Sequence, residues 1–326
     1  MVVVRLTGGL GNQMFNYAFA KFLQKYDCEV VIDASWVVKN ARKSIGGGAI
    51  RKFELKSFSL TLPVLLDYSI AQLRDCGYPM RYIVYKKLYH ITPKPLRKIL
   101  FSWWEGCVFE TIVGQNFDDV SLIHRILASK NKNKISIYEG YFFAYHFVHN
   151  VQTEVTQDFR LAHALSKPND EIYTHIVHTP DSVFLHVRRG DYLLDKNAYF
   201  IRLDSAYYER ALRIIQESMP NAHIFIFSND IPWCKAYFLD SLSAEVREGL
   251  AFSFVEGNDE SNAIEEMELM SACKHAIIAN STFSWWAAYR IANPTKIVIA
   301  PDRITTYWDK ERARVFYPPQ WVLLEV

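Results

Sequence analysis

Strand-like and helix-like segments alternate between residues 182 and 300, and this alternation restricts the possible folds more than any other feature. Strand-like runs occupy 182–187, 222–228, 251–255, 275–279 and 296–300. Helical patterns lie between them, at 205–218, 232–240, 261–272 and 284–291. Strands separated in this way by helices predict a parallel sheet with helices on both faces.

The beginning of the chain has the same organisation. A strand at residues 2–6 is followed by a glycine turn, an amphipathic helical pattern from Met14 to Tyr26, and a strand from Glu29 to Asp33. A further strand is predicted from Ile135 to Glu139. A polar stretch, Ser166–Asp170, separates the two regular regions. We therefore predict two domains, 1–165 and 166–326, and an α/β fold made of two Rossmann-like, doubly wound domains. A length of 326 residues suits two such domains.

The strand at 182–187 ends in two arginines. All its residues from Val183 to Val187 are apolar except His186, which is typical of a central strand covered on both faces. Arg188 and Arg189 follow, where ligands of open α/β sheets bind. Adjacent guanidinium groups at this place predict a bound anion, most simply a phosphate, with surface salt bridges as the alternative.

Polar residues also follow the other strands of the second half. They are Ser228–Asp230, Glu256–Asp259, Asn280–Trp286 and Pro301–Asp302. Parallel strands bring their carboxyl ends to one edge of the sheet, so these clusters predict a nucleotide-binding edge.

Two of these exits suggest more specific contacts. Ser281 and Thr282 precede a helix expected near Ser284, where hydroxyl and free N–H groups would bind phosphate; the alternative is ordinary N-capping. Glu265 and Glu266 begin the helix after the third strand. A carboxylate there would accept hydrogen bonds from the N1–H and amino group of guanine, unless both are first-turn acids favoured by the helix dipole.

The glycine turn Gly8–Gln13 belongs to neither common phosphate-binding motif. A dinucleotide fingerprint requires glycine where Met14 stands, and a P-loop requires a Gly-Lys-Ser/Thr sequence. The remaining possibility is a backbone that approaches a ligand at Gly11, with Asn12 and Gln13 at a helix N-terminus. The alternative is a tight turn in which Asn12 caps the helix.

Charge and composition exclude several partners. A net charge of +2 gives no basis for nucleic-acid binding. The uncharged N-terminal run does not resemble a signal peptide, and no run of about 18 apolar residues predicts a membrane span. Five scattered cysteines without a CxxC pair predict neither a disulfide framework nor a zinc site.

Residues 74–98 carry seven Lys or Arg against Asp75 alone, which predicts either a solvated face or peripheral contact with an anionic membrane.

A metal ion and an organic cofactor are not expected. The Asp-x-Asp pair with which many nucleotide-sugar enzymes hold a divalent cation does not occur in the sequence. Two arginines and a helix N-terminus would neutralise a diphosphate without one.

Three motifs, in this order, closely resemble those of the bacterial α-1,2-fucosyltransferases of glycosyltransferase family eleven. They are Gly8–Gln13, His186–Tyr192 and Asn280–Trp286. The resemblance spans about residues 1–300. Its HxRRxD core is shared more loosely with α-1,6- and protein O-fucosyltransferases.

The resemblance implies a GT-B fold, with two Rossmann-like domains facing across a cleft. It implies GDP-L-fucose as donor, bound by the C-terminal domain, and a galactose-terminated oligosaccharide or lipid-linked glycan as acceptor. The expected reaction is an inverting, metal-independent α-1,2 transfer. The absence of the membrane anchor of Golgi relatives implies a bacterial, cytoplasmic enzyme of lipopolysaccharide or capsule assembly, at most peripheral to the inner membrane face.

Particular residues receive roles from the same resemblance. Arg188 would hold the β-phosphate, and His186 and Arg189 would shape the donor site. Ser281, Thr282 and Phe283 match a stretch that contacts the diphosphate. Glu266 matches a position at which related enzymes often carry an aspartate facing guanine, and Asn12 matches an asparagine that reaches the donor from the N-terminal domain.

The catalytic base and the competing functions stay open. Asp191 is a candidate base, or it orients Arg188 or Arg189. The alternatives to fucosyl transfer are another nucleotide sugar as donor, a non-enzymatic carbohydrate-binding protein suggested by the 15% aromatic content, and a phosphotransferase, which the lack of a P-loop disfavours.

Overall fold

In the computed structural model the chain forms two compact units, Met1–Ala162 and His163–Val326, each built on a parallel sheet. The structure describes residues 1–41, 52–114, 134–194, 197–259 and 261–326. The division falls at residue 162, close to the predicted boundary at residue 165.

The first unit has a parallel sheet in the order β3-β2-β1-β5-β4. Its strands are β1 Val2–Arg5, β2 Val30–Asp33, β3 Val64–Leu65, β4 Phe109–Gly114 and β5 Ile135–Gly140. Its helices are α1 Leu10–Gln24, α2 Ser35–Asn40, α3 Ile70–Asp75, α4 Met80–Ile91, α5 Lys94–Val108, α6 Tyr145–His149 and α7 Gln152–Asp158, with a 3₁₀ turn at Leu55–Ser57.

Helices cover both faces of this first sheet. Val3 and Ile137 belong to a core cluster with Tyr82 of α4 and Phe101 of α5. On the opposite face, Tyr138 contacts Phe19 of α1, with their ring centroids 5.6 Å apart. The alternation of side chains along a strand sends neighbouring residues to the two faces, so this unit is doubly wound.

The second unit has a parallel sheet in the order β11-β10-β9-β6-β7-β8. Its strands are β6 Ser182–Val187, β7 His223–Ser228, β8 Ala251–Phe254, β9 His275–Ile277, β10 Val298–Pro301 and β11 Val322–Leu324. Its helices are α8 Lys167–His178, α9 Ser205–Ser218, α10 Ile231–Trp233, α11 Ala244–Gly249, α12 Ala263–Ala272, α13 Thr282–Arg290 and α14 Lys310–Phe316. A 3₁₀ turn spans Gly190–Leu193, and α10 continues as a π-turn, Cys234–Phe238, and a 3₁₀ turn, Leu239–Ser241.

Strand β6 lies in the middle of the second sheet and is buried along its whole length. Val183, Leu185 and Val187 pack with Tyr208 and Leu212 of α9 in one core cluster. The intervening residues face the other way, toward the side of the sheet that carries His175 of α8, whose ring lies 5.3 Å from that of Phe225. The prediction of a central strand covered on both faces is confirmed.

Two doubly wound α/β units in one chain confirm the predicted class, an α/β fold of two Rossmann-like domains. The predicted strands of the second half are all present, within two residues of their expected limits. Three strands were not predicted, namely β3, β4 and β11. Each lies at the edge of its sheet, where only one neighbouring strand stabilises it.

Candidate functional site

The strand order of the second unit creates a crevice at the carboxyl edge of its sheet. From β6 the chain proceeds to β7 and β8 on one side, then returns to place β9, β10 and β11 on the other. Strands β6 and β9 are therefore neighbours from which the connections diverge, and ligands of open α/β sheets bind at such a switch point. Arg188 follows β6, and Asn280 and Ser281 follow β9, so the two predicted motifs border one crevice.

Arg188 is half-buried at this crevice, and its guanidinium carbon lies 5.5 Å from the centroid of the Tyr192 ring. The charge of Arg188 affects the pKa values of two further side chains. Burial, and then the positive charge of Arg188, lower the pKa of His186 to about 3. Burial raises the pKa of Glu266 to about 7, against the opposing effect of Arg188. The charge of Arg188 thus reaches both His186 and Glu266, and the predicted binding roles of the three residues stay predictions.

His186 is neutral at physiological pH, because its folded pKa lies far below that range. Its side chain is buried, and its Nδ1 finds no hydrogen-bond partner within the described ranges of the chain. Its ring lies 6.0 Å from that of Phe283. A neutral, sequestered imidazole shapes the wall of the crevice and cannot donate a proton as an acid near pH 7.

Arg189 has a different role from its neighbour. Its Nε forms an ion pair with Oδ2 of Asp230 at 3.2 Å, and its guanidinium lies 3.6 Å from the Trp233 ring centroid. Its backbone N–H donates to Oδ1 of Asn229 at 2.9 Å. These contacts tie the end of β6 to the segment after β7. The salt-bridge alternative therefore describes the contacts of Arg189, and its predicted place in the donor site stays a prediction.

Gly190 makes this connection between strand ends possible. Its φ is +56°, a value that favours glycine, and a Cβ at this position would lie 2.3 Å from Nδ2 of Asn229. Asp191 follows in the 3₁₀ turn Gly190–Leu193. The side chain of Asp191, the candidate base, lies outside the described part of the structure.

Helix α13 presents its N-terminus to the crevice. Ser281 is its N-cap, and its Oγ accepts a hydrogen bond from the Phe283 N–H at 3.3 Å. The helix begins at Thr282, two residues earlier than predicted, because Ser281 supplies the cap. The capping alternative is confirmed for Ser281. It is compatible with anion binding, since a hydroxyl that accepts one hydrogen bond can donate another.

Both ends of α13 are fixed. At its C-terminus, Nζ of Lys296 donates to the carbonyl oxygens of Ala288, Tyr289 and Ile291 at 2.8–2.9 Å. Just before its N-terminus, the buried side chain of Asn280 donates to the carbonyl oxygens of Ile201 and Ile304, at 2.7 and 3.0 Å.

The sequence places Asn280 at a strand exit but indicates no role for it. Its partners are distant in sequence, so no local pattern indicates them. Asn280 fixes the segment between β9 and α13 and thereby the position of the helix N-terminus.

The two glutamates of α12, Glu265 and Glu266, have different surroundings. Glu265 accepts hydrogen bonds from Oγ of Ser166 at 2.6 Å and Nδ2 of Asn169 at 2.7 Å. Burial raises the pKa of Glu265, but these hydrogen bonds outweigh burial and lower it overall. Glu265 joins α12 to the start of α8, which leaves Glu266 as the carboxylate beside Arg188.

Helix α1 begins within the glycine turn of the first unit, earlier than it would begin if Asn12 were its N-cap. Gly8 has φ +71°, Gly9 occupies the N-cap position, and the helix begins at Leu10. Gly11 and Asn12 therefore lie in the first turn, so the alternative in which Asn12 is the cap is wrong. The Asn12 side chain packs against Gly8, where an added Cβ would lie 2.2 Å from Nδ2 of Asn12.

Gln13 was predicted to bind substrate, but its side chain is fully engaged within the first unit. Its Nε2 donates to the carbonyl oxygens of Gly8 and Lys52, at 2.9 and 2.8 Å, and its Oε1 accepts from the N–H of Glu54 at 3.0 Å. The residue is fully buried. Gln13 therefore stabilises the glycine turn of the first unit. Its predicted role in binding the substrate is corrected.

A polar cluster at the carboxyl ends of β1, β2 and β5 was not predicted. Asp33 accepts hydrogen bonds from Nε of Arg5 at 3.1 Å and from the Tyr68 hydroxyl at 2.6 Å. Arg5 also forms an ion pair with Glu139. Burial, with the charge of Asp33, raises the pKa of Tyr68 to about 12, so this phenol remains protonated.

Most of the chain matches the model of a known protein family. The model of glycosyl transferase family 11 matches residues 120–325, nearly two thirds of the chain and almost all of the second unit. The chain belongs to glycosyl transferase family 11. The family predicted from the three motifs is confirmed, and it makes the protein a glycosyltransferase, so neither a non-enzymatic lectin nor a phosphotransferase describes it.

Known glycosyltransferases resemble the chain, two of them from Escherichia coli over most or all of its length. The O-antigen biosynthesis glycosyltransferase WbnK of Escherichia coli is 28% identical over 91% of this chain and 92% of its own. An α-1,2-colitosyltransferase of Escherichia coli is 27% identical over 100% and 99%. Human galactoside α-(1,2)-fucosyltransferase 1 is 26% identical over 56% of this chain and 51% of its own.

Solved structures of fucosyltransferases are more distant. A variant of Arabidopsis thaliana FUT1 in complex with GDP has a TM-score of 0.48 at 13% identity, over 91% of this chain and 69% of its own. Fucosyltransferase NodZ of Bradyrhizobium has a TM-score of 0.46 at 14% identity, over 88% and 91%. At this distance they bear on neither ligands nor mechanism.

Two further observations concern cations and membranes. The described residues of this family 11 protein contain no group of three or more His, Cys, Asp or Glu side chains arranged to hold a metal ion. Among the same residues, no helix combines the length and the apolar composition needed to cross a bilayer. Metal independence stays a prediction that activity measurements must test.

Proposed function

We propose that the protein transfers L-fucose from GDP-L-fucose to the 2-hydroxyl of a galactose, with inversion and without a metal ion. The observation that carries this proposal is the position of Arg188, at the switch-point crevice and beside the N-terminus of α13. A guanidinium group and a helix N-terminus on two neighbouring strand exits suit the diphosphate of a sugar nucleotide.

In this proposal the diphosphate is both the anchor and the leaving group. Arg188, the Ser281 hydroxyl and the first-turn N–H groups of α13 stabilise the negative charge that grows on GDP as the fucose–phosphate bond breaks. The positions of these groups are fixed before reaction by the hydrogen bonds of Asn280 and Lys296. Preorganised donors of this kind contribute about 3–4 kcal/mol each to stabilising a transition state.

Glu266 is the proposed reader of guanine. Its ionised carboxylate accepts hydrogen bonds from the N1–H and the exocyclic amine, which adenine does not present in the same pattern. With a pKa of about 7 in the free protein, the carboxyl is held near its ionisation point, and donors from the base would favour its charged form.

The acceptor step is a single displacement. The galactose O2 attacks the anomeric carbon from the face opposite the diphosphate while the C–O bond to phosphate breaks with oxocarbenium character. The new glycosidic bond replaces that bond, and the proton of O2 leaves late. His186 serves as neither acid nor base here, because its side chain is buried and its pKa is about 3. Asp191 remains the candidate base.

A second donor is favoured by one specific finding. The α-1,2-colitosyltransferase matches the whole chain at an identity close to that of WbnK. Colitose is L-fucose without its 3-hydroxyl, so the two donors share the same nucleotide and most of the same sugar. The residues proposed to bind the donor would contact its nucleotide, so they do not distinguish the two sugars.

One experiment tests the proposal. The protein is incubated with GDP-L-fucose or GDP-colitose as donor and with lactose, lacto-N-biose or N-acetyllactosamine as acceptor, with and without EDTA, and the product is identified by mass and linkage analysis. We expect a fucosyl α-1,2-galactose unit and no loss of rate with EDTA. Transfer from GDP-colitose alone would replace fucose by colitose in the assignment. Transfer from neither donor, or a rate abolished by EDTA and restored by a divalent cation, would contradict the proposal.

A further inference from the structure

Helix α4 is apolar on two opposite faces. Its inner face packs Tyr82, Ile83 and Tyr85 into the core of the first unit. Its outer face faces water, yet it carries four exposed apolar side chains where polar ones are expected. They are Met80, Val84, Leu88 and Ile91, with 59%, 40%, 37% and 71% of their surface accessible. A helix of a globular unit normally presents a polar face to water, so the outer face of α4 requires another explanation.

These residues form one continuous row. Their spacing of four, four and three residues places them on one side of a helix with 3.6 residues per turn. Helix α5 adds Leu96 and Leu100, one turn apart and 47% and 59% exposed. We call these six residues the apolar stripe. They account for six of the twenty exposed large apolar side chains of the described residues, so the apolar surface is concentrated here and not scattered.

The charge around the apolar stripe has a single sign. Between Met80 and Arg97 the sequence contains five Lys or Arg and no Asp or Glu. Lys86 points inward, with its Nζ 4.0 Å from the Tyr68 ring centroid, and Arg97 donates to the Thr92 carbonyl at 2.9 Å. Lys87 and Lys94 are exposed. The position of Lys87, three residues after Val84 and four before Ile91, puts it on the same side of α4 as the stripe.

We propose that the apolar stripe of α4 and α5 lies on the surface of an anionic membrane. In this arrangement the six apolar side chains enter the boundary between headgroups and acyl chains, and Lys87 and Lys94 contact lipid phosphates. An apolar row bordered only by basic residues complements an anionic bilayer, which offers both an apolar interior and a negative surface. Helix α4, with 12 residues, is too short to span a bilayer and lies parallel to its surface.

The test is flotation of the full-length protein with vesicles. Vesicles of phosphatidylcholine alone are compared with vesicles that also contain phosphatidylglycerol, at low and at moderate salt. We expect binding to the anionic vesicles only, weakened by salt. Replacing both exposed lysines, in a Lys87→Ala/Lys94→Ala variant, should lower the partition coefficient about 30-fold, since each basic residue near an anionic surface contributes about fivefold.

A second variant examines the apolar contribution. Leu88→Glu/Ile91→Glu should abolish vesicle binding, while Val315→Glu, which changes a similarly exposed apolar residue of α14 in the other unit, should bind as the unchanged protein does. Because all three positions are exposed, folding should be unaffected, and transfer to a soluble acceptor should continue at the unchanged rate. This readout separates failure of the membrane proposal from failure of the proposed function.

Three outcomes would overturn the membrane proposal. The first is absence of binding to phosphatidylglycerol vesicles at low salt. The second is binding that the Leu88→Glu/Ile91→Glu variant retains. The third is a concentration-dependent dimer, detected by light scattering, that this variant dissociates while vesicle binding is absent; the stripe would then be an interface between two copies of the chain.

Discussion

Arg188 and Arg189 are neighbours in the sequence, yet they have different contacts in the structure. Arg189 is held by Asp230 and lies over the Trp233 ring. Arg188 lies beside the crevice, where its charge affects the pKa values of His186 and Glu266. The sequence predicts the location of both side chains but cannot assign their partners, because Asp230 and Trp233 belong to another strand exit about 40 residues away.

Replacing Arg188 provides the sharpest test of the proposed diphosphate contact. Arg188→Ala should lower kcat about 100- to 1,000-fold, as expected for loss of one preorganised donor to a developing charge. Arg188→Lys should be almost as inactive, because an ammonium group cannot reproduce the planar fork of a guanidinium. Initial rates at saturating acceptor and donor would provide the measurement.

Arg189→Lys is the matched control for this pair. It keeps a positive charge next to Asp230, so its main effect should be on the free energy of unfolding, with a much smaller loss of kcat. Near-normal turnover of Arg188→Lys, together with inactivity of Arg189→Lys, would reverse the two roles.

Glu266 should make GDP binding depend on pH. Only the ionised carboxylate accepts two hydrogen bonds from guanine, so the Kd for GDP should rise by about tenfold per pH unit below the pKa of about 7. Calorimetric titration between pH 5.5 and 8.5, roughly a window centred on that pKa, would measure it. Glu266→Gln should remove the pH dependence and weaken binding, and a Kd profile in this variant like that of the unchanged protein would exclude Glu266 as the reader of guanine.

The same carboxyl affects stability in the absence of nucleotide. Its folded-state pKa is raised, so the folded state favours the protonated form. The associated stability is fully present below its ordinary value of 4.5 and is lost as pH rises through about 7. Denaturant unfolding of Glu266→Gln should therefore show a smaller decline in the free energy of unfolding across this range than that of the unchanged protein.

At the level of elements, the crevice depends on the fixed N-terminus of α13. Ser281→Ala removes the cap and should cost about 1 kcal/mol in the free energy of unfolding. It should also weaken GDP binding, because the hydroxyl and the first-turn N–H groups contact the diphosphate in the proposed complex. Denaturant unfolding and calorimetry on the same samples would measure both effects.

Ser243→Ala offers a control within the same unit. Ser243 caps α11, with its Oγ accepting from the Val246 N–H at 3.4 Å, and it is placed away from the switch point. Its replacement should lower stability without changing the Kd for GDP. Equal losses of GDP affinity in the two variants would show that Ser281 acts only through general stability.

The elements that sequence patterns predict well are those whose own residues determine them. Strand β6 is apolar except for Ser182 and His186, and α9 has a continuous amphipathic pattern, so the sequence predicts both at their observed limits, 182–187 and 205–218. Strand β3 has only two residues, and its pairing with β2 depends on tertiary contacts. The Gln13 side chain could not be assigned from sequence, because two of its three partners are backbone groups at Lys52 and Glu54.

At the scale of the whole molecule, the two units should respond differently to nucleotide. If GDP binds at the switch-point crevice, amide hydrogen exchange should slow in peptides that cover the end of β6, the first turn of α12 and the start of α13. Helices α4 and α5 should show no change. Exchange measured by mass spectrometry with and without GDP would test this, and protection centred on Gly8–Gln13 would place the nucleotide in the first unit instead.

The central position of β6 also has a consequence during synthesis. A ribosome completes β6 and β7 well before it reaches His275, where β9 begins. One edge of β6 therefore stays unpaired until β9 has been synthesised. Until then that edge exposes unpaired backbone N–H and C=O groups of a mainly apolar strand, which is the arrangement that promotes aggregation of nascent chains. A message truncated before residue 275 would yield a polypeptide that lacks one wall of the crevice and depends on chaperones for solubility.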